Sequence, residues 1–339
     1  MSTIRAGVIG TGSIGRNHAR VMSELSDVEF AAIHDANAAT AQEMAARFGT
    51  KAAASLEEFA TLVDAATVAT PTPTHFEIAK FLLERGKHVL VEKPIAENTA
   101  DARALADLAH ERGLVLQVGH IERFNPVLSA LEARLTRPRF IESHRLSPYP
   151  NRSTEIGVVL DLMIHDLEII LHLVRSPIAS IDAVGVPVLS RGEDIANARL
   201  RFENACVANI TVSRISPEKL RKIRVFQEDG YLSLDYQAQE GFLFRLAREG
   251  EHESSLLKKL LSAKESAIVS EFAGKKIVRE PVEVEKGEPL KRELASFMEC
   301  ARAGATPKVS GYQATAALEL ALEITRIIEL STGTPAPLP

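Results

Sequence analysis

Apolar positions along the first 120 residues follow two alternating rhythms. Continuous aliphatic runs at Ile4 to Ile9 and Val28 to Ile33 alternate with helical spacing over Ser13 to Leu25 and Ala38 to Phe48, the second of these closed by Gly49. The alternation continues through Ala65 to Ala69, a helix from Thr74 to Arg85 stopped by Gly86, the run His88 to Glu92, a helix from Thr99 to Arg112 stopped by Gly113, and Leu114 to Val118. Aliphatic runs without polar alternation belong to strands buried on both faces. The pattern therefore predicts a parallel, doubly wound α/β sheet with helices on both sides.

Near Asn125-Pro126 the rhythm changes. A long helix is predicted over Val158 to Val174, followed by β-rich sequence at Ile181 to Leu189, Ala198 to Ile215, Arg221 to Phe226 and Tyr231 to Leu246. Residues 250–275 are polar with weak patterning and read as a loop or hairpin. Two closing helices, Leu290 to Ala303 and Tyr312 to Leu330, precede a Pro-rich tail. The expectation is a parallel-sheet domain over 1–121 and, over 122–339, an α+β domain built on an open, mostly antiparallel sheet.

Composition narrows the function classes. A chain of 339 residues exceeds one ordinary core. A formal net charge of −5 gives no general attraction to polyanions, so nucleic acid is not an expected partner. Two cysteines, Cys206 and Cys300, make neither a disulfide framework nor a zinc site, and a reducing compartment fits. Met1 leads into a strand without a basic, apolar leader, and no long uncharged apolar run occurs. The expectation is a cytoplasmic protein without a membrane partner.

Candidate chemistry starts at Gly10-Thr11-Gly12-Ser13-Ile14-Gly15. This GxGxxG follows a strand and opens a helix, where glycines permit a tight turn and close approach of a pyrophosphate to the helix N-terminus. Gly10, Gly12, Ser13, Ile14 and Gly15 are therefore assigned to a dinucleotide in a Rossmann-type domain. Asp35 ends the second strand, where a carboxylate meets ribose hydroxyls and repels a 2′-phosphate; Ala36-Asn37-Ala38 brings no arginine, so NAD is favoured over NADP. Ligands of such sheets sit beyond the carboxyl ends of the strands. Two of those ends are left by Thr70-Pro71-Thr72-Pro73-Thr74-His75 and by Glu92-Lys93-Pro94. This places Thr70, Pro71, Thr72, His75, Glu92 and Lys93 at the cofactor. A lysine ending a strand is more often structural than catalytic. Here its stem can follow the strand while its ammonium hydrogen-bonds a substrate hydroxyl and stabilises developing charge.

The GxGxxG, TPTPTH and EKP segments, with a later helix carrying Asp161 and His165, resemble the glucose-fructose oxidoreductase, inositol dehydrogenase and MocA (Gfo/Idh/MocA) family. The resemblance implies that Lys93 polarises the reacting hydroxyl, that His165 is the general base and that Asp161 assists it. It also implies a cis Lys93-Pro94 bond. The spacing of four puts Asp161 and His165 on one face of a regular helix, which an ordinary surface pair would also do. Two departures, Glu155-Ile156-Gly157 before the aspartate and Met163 after it, leave the shape of the sugar pocket open. Asp161, His165, Glu168 and His172 form an alternative metal set, for which no second acidic-histidine helix supplies the other half; no metal is assigned.

Gly119-His120-Ile121-Glu122-Arg123-Phe124-Asn125-Pro126 and VVLDLMIHDLEII resemble the branch of that family that oxidises UDP-N-acetylglucosamine at its 3-hydroxyl. A nucleotide-sugar diphosphate needs cations. Arg123 and Arg152 are the candidates, with Tyr149 beside them and Arg214 and Lys219 further on; each is alternatively a surface charge. His120 and His144 read as packing histidines. A free inositol or monosaccharide as substrate, and a non-catalytic NAD-binding regulator, remain open. The family resemblance further implies a homodimer or homotetramer built on the second sheet.

Overall fold

The computed structural model describes residues 3–149, 156–248, 267–272 and 275–332. Arg152 lies outside them, as do the Pro-rich tail and most of 250–275. The chain forms two compact units, Met1–Phe124 with Glu288–Glu319 and Asn125–Gly287 with Leu320–Pro339. The single cut expected at 121/122 thus differs from the observed division, because a segment from far along the chain returns to the first unit.

In the first unit, β1 (Ile4–Ile9), β2 (Val28–His34), β3 (Lys51–Ala52), β4 (Ala65–Val68), β5 (His88–Glu92) and β6 (Leu116–Gly119) form one sheet. Its order is β3-β2-β1-β4-β5-β6, and every pairing is parallel. The order reverses between β1 and β4, which makes the crevice beyond their carboxyl ends the place for a ligand. Two helices explain the returning segment. Val21 and Met22 of the Gly15–Glu24 helix and Leu290, Leu294, Phe297 and Met298 of the Pro289–Ala303 helix pack with Ala6, Ala65 and Leu90 on one sheet face. Each such large side chain removed from water contributes about 1.5–3 kcal/mol. An apolar sheet face needs that cover, and sequence distance is no obstacle to supplying it.

In the second unit, nine strands form one sheet: β7 (Phe140–Leu146), β8 (Ile178–Val186), β9 (Ile195–Phe202), β10 (Val207–Ser213), β11 (Leu220–Gln227), β12 (Gly230–Asp235), β13 (Glu240–Leu246), β14 (Ala267–Phe272) and β15 (Lys275–Pro281). All neighbours are antiparallel except β7 and β10. Two expected long strands are each split by a turn. The stretch Ala198 to Ile215 breaks near Ala205 (φ 66°), and Tyr231 to Leu246 breaks near Gln239 (φ 52°), because a left-handed residue reverses the chain without interrupting its apolar alternation. The strand β7 and a short helix, Pro126–Glu132, form where no element was predicted. Asn125 starts that helix by accepting the Val127 N–H and donating to the Tyr236 carbonyl. Within 250–275, β14 pairs with β15, consistent with a hairpin there. Among the described residues no helix is long and apolar enough to cross a membrane.

Candidate functional site

Residues 10–15 leave β1 as an open loop. The Gly10 N–H donates to the His34 carbonyl at 2.8 Å, and Gly10 has φ 84°, a conformation that suits glycine. A Cβ on Gly15 would sit 1.9 Å from the Gly10 carbonyl oxygen, so the turn closes only with glycine there. A Cβ on Gly12 would meet nothing within 4 Å, and Gly12, Ser13 and Ile14 are exposed. The main chain at Gly12 is therefore approachable, as a pyrophosphate requires. Asp35 is joined to this loop: one oxygen accepts the Thr11 N–H and hydroxyl, both at 2.7 Å, and the other accepts the Asn37 N–H at 2.9 Å. Burial works to raise its pKa, but these hydrogen bonds win and hold it below the usual range. The carboxylate is ionised at neutral pH, the state that repels a 2′-phosphate.

The ends of β4 and β5 are tied together by His75. Its ring nitrogens lie 2.8 Å from the carbonyl oxygens of Pro94 and Thr70, so His75 braces two loops and offers neither nitrogen to a ligand. Thr70, Pro71 and Thr72 line the same edge, with the Thr70 hydroxyl accepting from Thr74. Lys93 is half-buried, as expected of a stem following a strand, and the Lys93-Pro94 bond is cis. Its neighbour Glu92 points back into the unit. His18, fully buried, lies 2.9 Å from one Glu92 oxygen through Nε2, and the Lys93 N–H donates to the other at 3.3 Å. The Glu92 carboxylate lies across Gly119, where a Cβ would stand only 2.8 Å from it. His120, read as a packing histidine, is 1% exposed; burial, then the charges of Lys93 and Arg123, push its pKa down to about 3 and keep it neutral. Arg123 sits in the Ile121–Phe124 turn at 4% exposure.

The helix expected over Val158 to Val174 is not regular. Val159–Met163 is a π-helical turn, and Ile164–Val174 continues as α-helix. Asp161 therefore lies on the widened turn and His165 on the regular one, which corrects the simple i,i+4 picture; such turns are frequent at functional sites. Both side chains are half-buried. The next residue, Asp166, anchors this helix to β7. It accepts from Arg145 Nε at 2.8 Å and from the Ser143 hydroxyl at 2.8 Å, with all three residues buried. His172, part of the alternative metal set, is 2.8 Å from Glu132. Among the described residues no group of three or more His, Cys, Asp or Glu could hold a metal ion.

The proposed diphosphate cations fare unequally. Arg214 is 0% exposed and bonded to Asp194, Ser190 and the Ile156 carbonyl, so it is structural, and its guanidinium lies 5.9 Å from the exposed Tyr149 ring. Lys219 is exposed at a strand start. Sequence reasoning missed His18, Asp166, Arg145, Glu193, Asp194 and Glu293. Of these only Asp166, inside the apolar stretch MIHDLEII, carried a local signal: a charge where the pattern demands burial.

The chain is similar to known proteins over most of its length. Residues 4–120 match the oxidoreductase family with an NAD-binding Rossmann fold, and residues 128–233 match the Gfo/Idh/MocA C-terminal domain. The chain is 40% identical over 237 residues to a UDP-N-acetylglucosamine 3-dehydrogenase of Acidithiobacillus ferrooxidans, covering 70% of this chain and 75% of that protein. It is 25% identical over 344 residues to the scyllo-inositol 2-dehydrogenase (NAD(+)) of Bacillus subtilis, covering 95% and 93%. The solved structure of UDP-N-acetylglucosamine 3-dehydrogenase GnnA from Acidithiobacillus ferrooxidans superposes with a TM-score of 0.85 at 32% identity, over 97% of this chain and 99% of that one. The first unit, with its glycine loop and Asp35, is an NAD-binding Rossmann domain, and the chain belongs to the Gfo/Idh/MocA family of oxidoreductases, dehydrogenases acting on CH–OH groups.

Proposed function

We propose that the protein oxidises a secondary hydroxyl of a sugar with NAD, and that the sugar is a nucleotide sugar of the UDP-N-acetylglucosamine type oxidised at its 3-hydroxyl. The 40% identity to a dehydrogenase of that substrate carries the reading. In this reading Lys93 hydrogen-bonds the reacting hydroxyl through its ammonium and lowers the cost of alkoxide charge. His165 accepts the hydroxyl proton, and Asp161 stabilises the imidazolium that results. NAD, which the Gly10–Gly15 loop and Asp35 would hold, would supply the hydride acceptor for the carbinol carbon. Arg123, Arg152 and Tyr149 bind the nucleotide portion.

A second reading, a free polyol or monosaccharide as substrate, draws support from similarity to the inositol dehydrogenase over nearly the whole chain. Titration with UDP alone separates the two, since saturable UDP binding is expected only of the nucleotide-sugar enzyme. Turnover followed by NADH formation tests the chemistry. Lys93→Met and His165→Ala should abolish it while NAD binding survives. If both variants kept wild-type turnover, the dehydrogenase roles assigned to these residues would be wrong.

A further inference from the structure

The helix that carries Asp161 and His165 starts without a capping side chain of its own. The leading N–H groups of a helix need acceptors, and here they come from a distant loop. The Val158 N–H donates to the Glu193 main-chain carbonyl, and the Val159 N–H donates to a Glu193 carboxylate oxygen, each at 3.0 Å. One residue thus holds two successive donors at the first turn, two residues before Asp161.

The neighbouring residue fixes the other side of the same turn. Asp194 and Arg214 are both 0% exposed and form an ion pair at 2.7 Å. Arg214 donates through Nη1 to the Ile156 carbonyl at 2.8 Å and through Nη2 to the Ser190 hydroxyl at 2.6 Å. Asp194 accepts the N–H groups of Val188 and Ser190 at 2.8 and 2.9 Å, which shapes the loop that delivers Glu193. The fit depends on glycine: a Cβ on Gly157 would stand 2.0 Å from a Glu193 carboxylate oxygen. Ile156 and Gly157, in the segment that departs from the family pattern, are therefore matched to Gly192, Glu193 and Arg214.

We propose that Glu193, backed by the Asp194–Arg214 pair, is a positioning residue for the reaction. It sets the axial position and rotation of the π-turn, and through it the placement of Asp161 against His165. This rests on the catalytic roles assigned above, but its test does not need a substrate. A polar group buried to this degree costs stability unless it is hydrogen-bonded. Here a side-chain oxygen accepts the Val159 N–H at the helix start, a contact that an amide oxygen also makes.

The experiment compares Glu193→Ala, Glu193→Gln and Gly157→Ala in the full chain by amide hydrogen exchange over the 156–166 segment and by NMR titration of the His165 imidazole. Glu193→Gln retains an acceptor oxygen and serves as the conservative rescue. Glu193→Ala and Gly157→Ala should speed exchange in that segment by about 10- to 100-fold and shift the His165 midpoint, with Glu193→Gln close to wild type. Where turnover is measured, Glu193→Ala should lower kcat by about 10-fold or more with the KM for NAD unchanged. Wild-type exchange and an unmoved His165 midpoint in Glu193→Ala, even alongside a lower Tm, overturn the proposal. So does Glu193→Gln behaving like Glu193→Ala in both. Failure of the substrate reading shows itself separately, as a wild-type protein that binds NAD but oxidises no nucleotide sugar.

Discussion

Glu293 stands in the Pro289–Ala303 helix at 0% exposure, and neither carboxyl oxygen has a hydrogen-bond partner among the described residues. Burial, and then the nearby Glu92 carboxylate, push its pKa well above the ordinary range. Replacing it by methionine, an unbranched side chain of similar volume, removes both oxygens and leaves the contact from Gln117 intact, because Gln117 donates to the Glu293 main-chain carbonyl. An unsatisfied buried polar group costs about 1–3 kcal/mol, so Glu293→Met should stabilise the protein by about that amount near neutral pH. For a unit of this size the gain corresponds to about 2–4 °C in Tm per kcal/mol. The pH dependence is the sharper signature. A carboxyl whose folded pKa lies above its unfolded value binds more protons when folded. Wild-type stability must therefore fall as pH rises from the unfolded carboxylate range towards the raised pKa. Glu293→Met lacks that slope, so its advantage should widen with pH across the same window. Urea unfolding at a series of pH values from acid to mildly alkaline measures it. An advantage constant with pH, or a methionine variant less stable than wild type throughout, would show that Glu293 is not the strained buried acid the structure describes.

Four further outcomes are expected. Gly15→Ala, which brings a Cβ against the Gly10 carbonyl, should weaken NAD binding by about 10-fold or more in a fluorescence titration, since the loop opens by backbone shifts that a cofactor-contacting turn cannot absorb. Asp35→Ser removes the ionised carboxylate and should narrow the preference for NAD over NADP by about 10-fold or more, read as a ratio of Kd values. Arg145→Met leaves Asp166 buried without its ion-pair partner and should cost about 3–5 kcal/mol in chemical denaturation; a loss within experimental error would refute the anchoring role. The second sheet carries a half-buried row of rings, Phe140, Phe226, Tyr231 and Phe244, with successive centroids 5.6, 4.9 and 4.5 Å apart. If this face joins copies of the chain, Phe244→Lys should convert the wild-type oligomer to monomer in light scattering at micromolar concentration.

What the linear pattern decided by itself is the first domain and its cofactor. Short aliphatic runs and helical spacing in strict alternation admit few topologies, and GxGxxG followed by Asp35 needs only neighbouring residues to acquire meaning. Ile4–Ile9 and Ala38–Phe48 were legible to the residue for that reason. The half-buried position of Lys93 at the end of β5 was legible too, because a charge ending an apolar strand is a local anomaly. Tertiary structure alone decided the rest, wherever a partner lies far along the chain. The Pro289–Ala303 helix joins the first unit because an apolar sheet face there had to be covered, and no local pattern says which helix will cover it. The π-turn under Asp161, the Glu193 contact at its start, the Asp194–Arg214 pair behind it and the Asp166–Arg145 anchor all depend on donors and acceptors meeting in space. Periodicity records which residues leave water and is silent on which buried polar groups satisfy one another.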